Sequence, residues 1–304
     1  MRDPLKHSGP VTASNNGFNI IECIECGHKH IFPIPTDEEL EHIYKHEYYT
    51  KNKPDYIEKD IEDRDWWEMT YNRRFEFFEN NLTTHGRRLL DIGSGPGLFL
   101  EVGNKRNWES KGIEPNQKAA EHSIKRGLDI CNMMFDSRSA ELLGKFDAIN
   151  MSLVLEHVAN PSKVIELVYN QLNDGGLFCV AVPNDFSPFQ LVLQNHLGFQ
   201  PWWVAPPHHI NYFNFKSMEK LLQRNGFSVI HQEATFPIEM FLLMGDNYIG
   251  NDSVGRSCHK KRINFEMALV ESGQGHLLSE MYQSFASSGV GREVLMIAKK
   301  ETKN

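Results

Sequence analysis

From Arg88 onward the chain alternates short apolar runs with amphipathic stretches, and that alternation leaves few folds open. Strand-like RLLDIG leads to helix-like GLFLEVGNKRN, and SKGIEP precedes helical NQKAAEHSIKRG. LDICNMM and FDAINMS read as further strands, and PSKVIELVYNQLND as a helix opening at Pro161. GGLFCVAVPN is a buried strand bounded by a glycine pair and a proline. KSMEKLLQRNGF is a helix stopped by Gly226 ahead of strand FSVIHQE, and REVLMIAKK supplies a last strand. Parallel strands need crossover connections, and crossover helices cover both sheet faces. The expected fold is therefore α/β, with a mostly parallel sheet.

Two stretches break the pattern. Residues 185–216 are aromatic-rich and interrupted by proline, and residues 235–290 separate the last two strands with a helical part between them. In an open α/β sheet, such insertions beyond the carboxyl ends of strands lie where ligands bind. Ahead of the alternation, residues 1–45 read as an irregular, ribbon-like segment and residues 46–85 as a helical cap. In that cap Trp67, Tyr71, Phe75, Phe78 and Leu82 recur at helical spacing. Residues 86–304 then form the main domain.

Bulk properties exclude several function classes. With 304 residues, 40% of them hydrophobic and 24% charged, the chain reads as a globular protein able to bury a large core. A net charge of −8, with only short basic clusters such as HKKR at 259–262, argues against bulk nucleic-acid binding. The N-terminal residues show no apolar signal-peptide core, and no apolar run is long enough to span a bilayer. Five cysteines do not make a disulfide framework in a chain of this size, so the expected compartment is the cytoplasm.

Residues 89–100, LLDIGSGPGLFL, feed a strand through a glycine turn into a helix. Such a turn offers free backbone N–H groups to a ligand and lets it approach the main chain closely. Gly93, Gly95 and Gly97 give G-x-G-x-G, whereas the dinucleotide fingerprint G-x-G-x-x-G would need glycine where Leu98 stands. The motif closely resembles the first motif of class I S-adenosylmethionine-dependent methyltransferases. The next strand ends in GIEP, FDAINMSLVLEHVANP resembles that family's fourth-strand motif, and LNDGGLFCVAVPN its helix-to-fifth-strand turn. The resemblance covers roughly residues 70–235. It implies a Rossmann-like sheet of seven strands, mostly parallel with the last antiparallel, carrying a helical cap and insertions.

The resemblance also implies a cofactor, S-adenosyl-L-methionine, with S-adenosyl-L-homocysteine as its product. Asp91, Gly93, Ser94 and Gly95 would line the methionine end, with Gly97 in the same cofactor-binding turn, and Glu114 would bind the ribose hydroxyls, a task that suits a carboxylate's paired acceptors. Pro115 and Asn116 would flank the adenosine, Phe135 and Asp136 would meet the adenine, and Asn150, Met151 and Ser152 would form the floor beneath the sulfonium. Arg73 and Arg74 lie on the cap helix, where one could grip the cofactor's carboxylate, although solvated surface arginines are the simpler reading.

Methyl transfer from a sulfonium depends mainly on alignment and a dry site, while a hydroxyl acceptor also benefits from a base. Glu156 and His157 in LEHV resemble a pair that, in ubiquinone-pathway O-methyltransferases, holds a divalent cation together with a carboxylate three residues earlier. That earlier position is Leu153, so no metal is expected there, and His157 remains a candidate base or a structural residue. PPHHINYF (206–213) resembles the loop after the fifth strand in a branch that methylates glycans and small molecules. One of His208 and His209 is the expected base, with Trp202, Trp203 and Tyr212 as acceptor contacts unless they merely close the core. Glu239, Tyr248 and Asn251 are further acceptor candidates on composition alone.

CIECGHKH holds one C-x-x-C, half of a zinc ribbon. Using His28 and His30 with Cys23 and Cys26 would crowd four ligands into eight residues, and His7 adds only one more. Ligand count therefore weighs against zinc at Cys23 and Cys26, and the segment reads as a ribbon remnant. The expected reaction is O-methylation of a small-molecule or glycan acceptor, as in polysaccharide biosynthesis. The alternatives are N- or C-methylation of another small molecule, or a non-catalytic cofactor-binding module.

Overall fold

A computed structural model describes residues 7–36, 39, 62–83 and 86–301. The part of the expected cap before residue 62 lies outside the described residues. Strands β1 (Val11–Asn15) and β2 (Phe18–Glu22) form a hairpin. Its Asn16-Gly17 turn holds both residues at positive φ, 47° and 80°, as Asn-Gly favours in two-residue hairpin loops. Strand β3 (Lys29–Phe32) pairs antiparallel with β2, placing Ile21 opposite His30. Helix α1 (Arg64–Asn81) buries Trp66, Phe75 and Phe78. The aromatic stripe thus runs through Trp66, while Trp67 stacks on Tyr71 with centroids 5.4 Å apart.

The alternation then unfolds much as the sequence implies. It runs β4 (Arg88–Ile92), α2 (Leu98–Lys105), β5 (Glu109–Ile113), α3 (Gln117–Lys125) and β6 (Asp129–Cys131). Helix α4 (Ser137–Leu143), β7 (Phe146–Ser152), α5 (Pro161–Gln171) and β8 (Leu172–Pro183) follow. Helix α4 occupies a stretch to which the sequence pattern assigns no element. It is short, and Asp136 starts it through a capping box in which its side chain accepts from Ser139 N while Ser139 Oγ accepts from Asp136 N, both at 2.9 Å. The chain continues through α6 (Pro188–Asn195), β9 (Asn211–Tyr212), α7 (Phe215–Arg224) and β10 (Phe227–Ala234). Three helices, α8 (Glu239–Leu243), α9 (Asp252–Glu271) and α10 (Gly275–Ser287), fill the second insertion before β11 (Glu293–Lys300).

Seven strands form a mixed sheet in the order β10-β11-β8-β7-β4-β5-β6, parallel through β7, β4, β5 and β6. Chain order reverses at β4, which has β5 on one side and β7 on the other. Ligands of open α/β sheets bind at such a switch point. In that register Asp91 sits beside Asn150 on one neighbour and Gly112 on the other. A second sheet, β1-β2-β3-β9, pairs the N-terminal hairpin with a piece of the first insertion.

The chain divides into two compact units. The described residues of Ile34–Val180, Leu221–Ile230 and Ile297–Asn304 form a unit containing the glycine turn. Those of Met1–Pro33, Ala181–Lys220 and His231–Met296 form a unit containing the ribbon and both insertions. In the glycine-turn unit Leu89, Leu90, Leu100, Phe146, Ile149 and Phe178 are fully or almost fully buried. No helix among the described residues is long and apolar enough to cross a membrane.

Candidate active site

All three glycines of the turn adopt positive φ, at 74° (Gly93), 51° (Gly95) and 85° (Gly97). A Cβ on Gly97 would lie 2.4 Å from Leu128 Cδ1, and one on Gly93 would lie 2.6 Å from Val154 Cγ2. Both positions thus require glycine for conformation and for space. The turn is pinned to the end of β5: Gly93 N and Ser94 N donate to Ile113 O at 2.9 and 3.3 Å, and Gly95 N donates to Glu114 Oε2 at 2.9 Å. Glu114 is 1% exposed, and its Oε1 accepts from Asn116 N at 2.7 Å. Burial pushes this carboxyl above its ordinary range, opposed by the two backbone N–H groups. Each oxygen retains acceptor capacity for a vicinal diol. Ser94 Oγ is buried with no hydrogen-bond partner among the described residues.

A polar chain crosses the switch point. Asp91, 4% exposed, accepts from Asn150 Nδ2 at 2.6 Å, and Asn150 Oδ1 accepts from Arg74 Nη1 at 2.7 Å. The same Nη1 donates to Ser152 Oγ at 3.0 Å, and the guanidinium lies 5.6 Å from the Phe99 ring centroid. Burial pushes Asp91 up to about 7, against the pull of the Asn150 amide and the Arg74 charge. Arg74 is thus not a solvated surface cation, contrary to the simpler sequence reading. Its cue was weak, since a cap helix carries arginines on any face.

The adenine-side residues are more dispersed. Asn116 is buried, and its side-chain oxygen caps α3 by accepting from Ala119 N at 3.0 Å. Asn132 donates to Glu114 O at 2.8 Å, fixing the loop that carries Pro115. Phe135 is half-buried, and the Asp136 carboxylate is engaged as the cap of α4. Met151, the penultimate residue of β7, is fully buried. Beyond it, Leu153 is held at φ 56°, an uncommon conformation for leucine. Glu156 and His157 follow in a single 3-10 turn, both buried, with His157 Nε2 3.7 Å from Glu156 Oε1.

The ribbon unit carries its own buried polar cluster, built around the loop after β8. Asp185 is 2% exposed, lies 3.6 Å from Arg292 Nη1, and donates its backbone N–H to Phe213 O at 2.9 Å. Burial pushes the Asp185 carboxyl up to about 7; Arg292 lowers it and Glu239 raises it. Glu239, 1% exposed, accepts from Gln190 Nε2 at 3.2 Å, while its Oε2 has no hydrogen-bond partner among the described residues. Tyr248 faces the same charges, and its buried hydroxyl has no partner there either. Burial and the Asp185 carboxylate hold the Tyr212 phenol above its ordinary range.

Aromatic residues wall this cluster. Phe186, at φ 56°, packs edge-on against Trp203 and Tyr212 with centroids 5.7 and 5.9 Å apart. Trp203 is buried while Trp202 stays half-buried, leaving Trp202 the more accessible platform. His208 and His209 are both half-buried, and the His209 ring lies 6.4 Å from Tyr212. Asn251 caps α9 through its side-chain oxygen. Asp185 and Arg292 were not singled out in the sequence. The one available signal was the placement of PND at the end of the fifth strand of the alternation.

Comparison with known proteins places this geometry. A family described as a methyltransferase domain matches residues 66–232. A ubiquinone biosynthesis O-methyltransferase of Caulobacter sp. (strain K31) is 32% identical over 143 residues, 45% of this chain and 57% of that protein. The corresponding protein of Nitrosococcus oceani is 33% identical over 109 residues, 34% of this chain and 46% of that protein. The chain thus spans about half the length of the curated relatives it matches. An S-adenosylmethionine-dependent methyltransferase from Archaeoglobus fulgidus superposes with a TM-score of 0.51 at 18% identity, over 81% of this chain and 99% of its own. The plantazolicin methyltransferase BpumL, solved with S-adenosylhomocysteine, gives 0.50 at 15% identity, over 87% and 97%. Sheet order, glycine turn and family match agree: this chain belongs to the methyltransferase-domain family and has the class I S-adenosylmethionine-dependent methyltransferase fold.

Proposed function

We propose that the protein transfers a methyl group from S-adenosylmethionine to an oxygen of a small polar acceptor, with a sugar or glycan precursor as the favoured class. The observation that carries the donor assignment is the buried Glu114 carboxylate held against the glycine turn by Gly95 N and Asn116 N. The glycine cradle, the orphaned Ser94 hydroxyl and the paired acceptors of Glu114 fit an adenosine ribose and its methionine tail. S-adenosylmethionine, when bound, supplies an electrophilic methyl group on a sulfonium.

This chain's own residues supply the rest. Glu114 binds the ribose diol, and Arg74, steadied by Asn150 and Ser152, pairs with the carboxylate of the methionine moiety. Asp91 and Asn150 orient that moiety through their shared hydrogen bond. In the ribbon unit, Arg292, Glu239, Tyr248 and Tyr212 present hydrogen-bonding groups suited to a polyhydroxylated acceptor, and Trp202 offers a face for ring stacking. Asp185, whose carboxyl burial pushes up to about 7, has the acid–base character to take an acceptor's proton near neutral pH. His208 and His209, the bases favoured by sequence, are its rivals. The O-methyltransferase names of the curated relatives support oxygen as the target atom.

The test is transfer of labelled methyl from S-adenosylmethionine to a panel of nucleotide sugars, free glycosides, catechols and amines. Base-stable label in a hydroxyl-bearing acceptor is the expected result. Label appearing only in amines, or in no acceptor at all while the chain binds S-adenosylhomocysteine, would overturn the reading.

A further inference from the structure

The cysteine turn between β2 and β3 does not stand alone. His7, Cys23, Cys26 and His30 bring one ligand atom each to a common point, all within 4.8 Å of one another. His7 Nδ1 lies 3.6 Å from Cys23 Sγ, 3.4 Å from Cys26 Sγ and 3.2 Å from His30 Nε2. A tetrahedral zinc ion, with bonds of about 2.0–2.1 Å to nitrogen and about 2.3 Å to sulfur, would set its ligands roughly 3.3 Å apart for N–N and roughly 3.5 Å apart for N–S. The observed separations match these edges. Two sulfurs and one ring nitrogen converge on His7 Nδ1, an arrangement that a cation at their centre satisfies at once.

The surrounding bonds are those a metal site needs. His30 Nδ1 meets Ile31 O at 2.7 Å, which fixes the tautomer with the lone pair of Nε2 directed into the cluster. Cys26 N donates to Cys23 Sγ at 3.5 Å, and Gly27, at φ 73°, closes the turn with its N–H on Cys23 O at 2.9 Å. The cysteines form no disulfide. Two thiolates would balance a divalent ion, and a Cys2His2 donor set suits structural zinc. The crowding that argued against zinc in the sequence does not arise. His7 comes from outside the turn, and His28 faces away, its Nε2 3.1 Å from Asn211 Oδ1.

We infer that His7, Cys23, Cys26 and His30 form a structural zinc site that locks the N-terminal ribbon to strand β9. The coupling runs along β3, where Lys29 pairs with Tyr212 and His30 with Asn211. The metal thereby anchors the strand that follows His208 and His209.

The chain, purified without chelator or metal-affinity resin, is expected to carry close to one zinc per molecule by elemental analysis. Its cobalt form should show the visible bands of tetrahedral sulfur ligation. His7→Ala and Cys26→Ser should lose the metal, while His28→Ala keeps it. Binding of S-adenosylhomocysteine serves as the folding control. Stripping zinc from the wild-type chain should speed amide exchange at least tenfold in β2, β3 and residues 211–212, leaving β4 and β5 unchanged. Less than a tenth of an equivalent after incubation with excess zinc would overturn the site. Loss of zinc in His28→Ala but not in His7→Ala would overturn the ligand assignment. Unchanged exchange on stripping would overturn the anchoring role. All three outcomes are read independently of methyl transfer.

Discussion

Replacing Glu114 with glutamine is nearly isosteric and tests the donor site at its most specific point. In the wild-type chain both carboxylate oxygens accept backbone hydrogens, from Gly95 N at 2.9 Å and Asn116 N at 2.7 Å. A glutamine can present its oxygen to only one of them, so its NH2 must face the other buried N–H. Leaving a buried donor unsatisfied costs about 1–3 kcal/mol of stability. For binding, one of two charge-assisted acceptors toward the ribose diol is lost, about 1.5–3 kcal/mol, or roughly a tenfold to 150-fold rise in the dissociation constant. Calorimetric titration with S-adenosylhomocysteine measures this, and urea unfolding measures the stability change separately. An analogue lacking both ribose hydroxyls should bind wild type and Glu114→Gln equally, which isolates the diol contribution. The reasoning fails if Glu114→Gln binds S-adenosylhomocysteine within threefold of wild type, or if it weakens the dideoxy analogue by the same factor. Because burial raises the Glu114 carboxyl, cofactor affinity of the wild-type chain should also fall as pH drops through that raised value.

Arg74→Met should weaken S-adenosylhomocysteine by roughly 30-fold or more, from loss of an ion pair of about 2–3 kcal/mol, while adenosine, which has no carboxylate, binds as before. Equal losses for both ligands would assign Arg74 to shaping the site only. The Asp185 carboxyl is raised in the folded chain to about 7, against roughly 4 when unfolded. The folded state therefore holds the extra proton, and stability falls as pH rises from roughly 4 through 7. Asp185→Asn should flatten that fall in urea midpoints, and should abolish any rise of turnover with pH near 7. His208→Ala and His209→Ala should each retain cofactor affinity. A variant that loses turnover while Asp185→Asn keeps it would transfer the role of base to that histidine.

What could be read from the sequence was whatever is local. The glycine turn, its strand and helix, and Glu114 one strand later are set by short-range backbone needs, and φ values of 74°, 51° and 85° show why glycine recurs at alternate positions. Helix α4 escaped notice because its seven residues lack an apolar stripe and its start depends on the Asp136–Ser139 capping box. Trp66 rather than Trp67 is buried because the face of α1 is chosen by what packs against it, including Phe99 and Trp108 on Phe75. Arg74 and Asn150, and likewise Asp185 and Arg292, come together across long separations that only the sheet order supplies. The four-donor cluster was hidden for the opposite reason. Counting ligands within one short window favoured His28, whereas His28 lies ahead of β3 and meets Asn211, while His30, within the strand, meets His7.

The pairing of β3 with β9 also sets a timetable. On the ribosome the ribbon emerges roughly 180 residues ahead of the strand that completes its sheet, about 10–40 s at typical elongation rates. For that interval β3 has an unpaired edge, a template for unwanted strand addition. A nascent ribbon already closed around a metal ion would wait in a defined shape. One made in zinc-depleted cells would wait as a loose hairpin with exposed thiols, so yield of native protein should track zinc supply during synthesis more steeply than during storage.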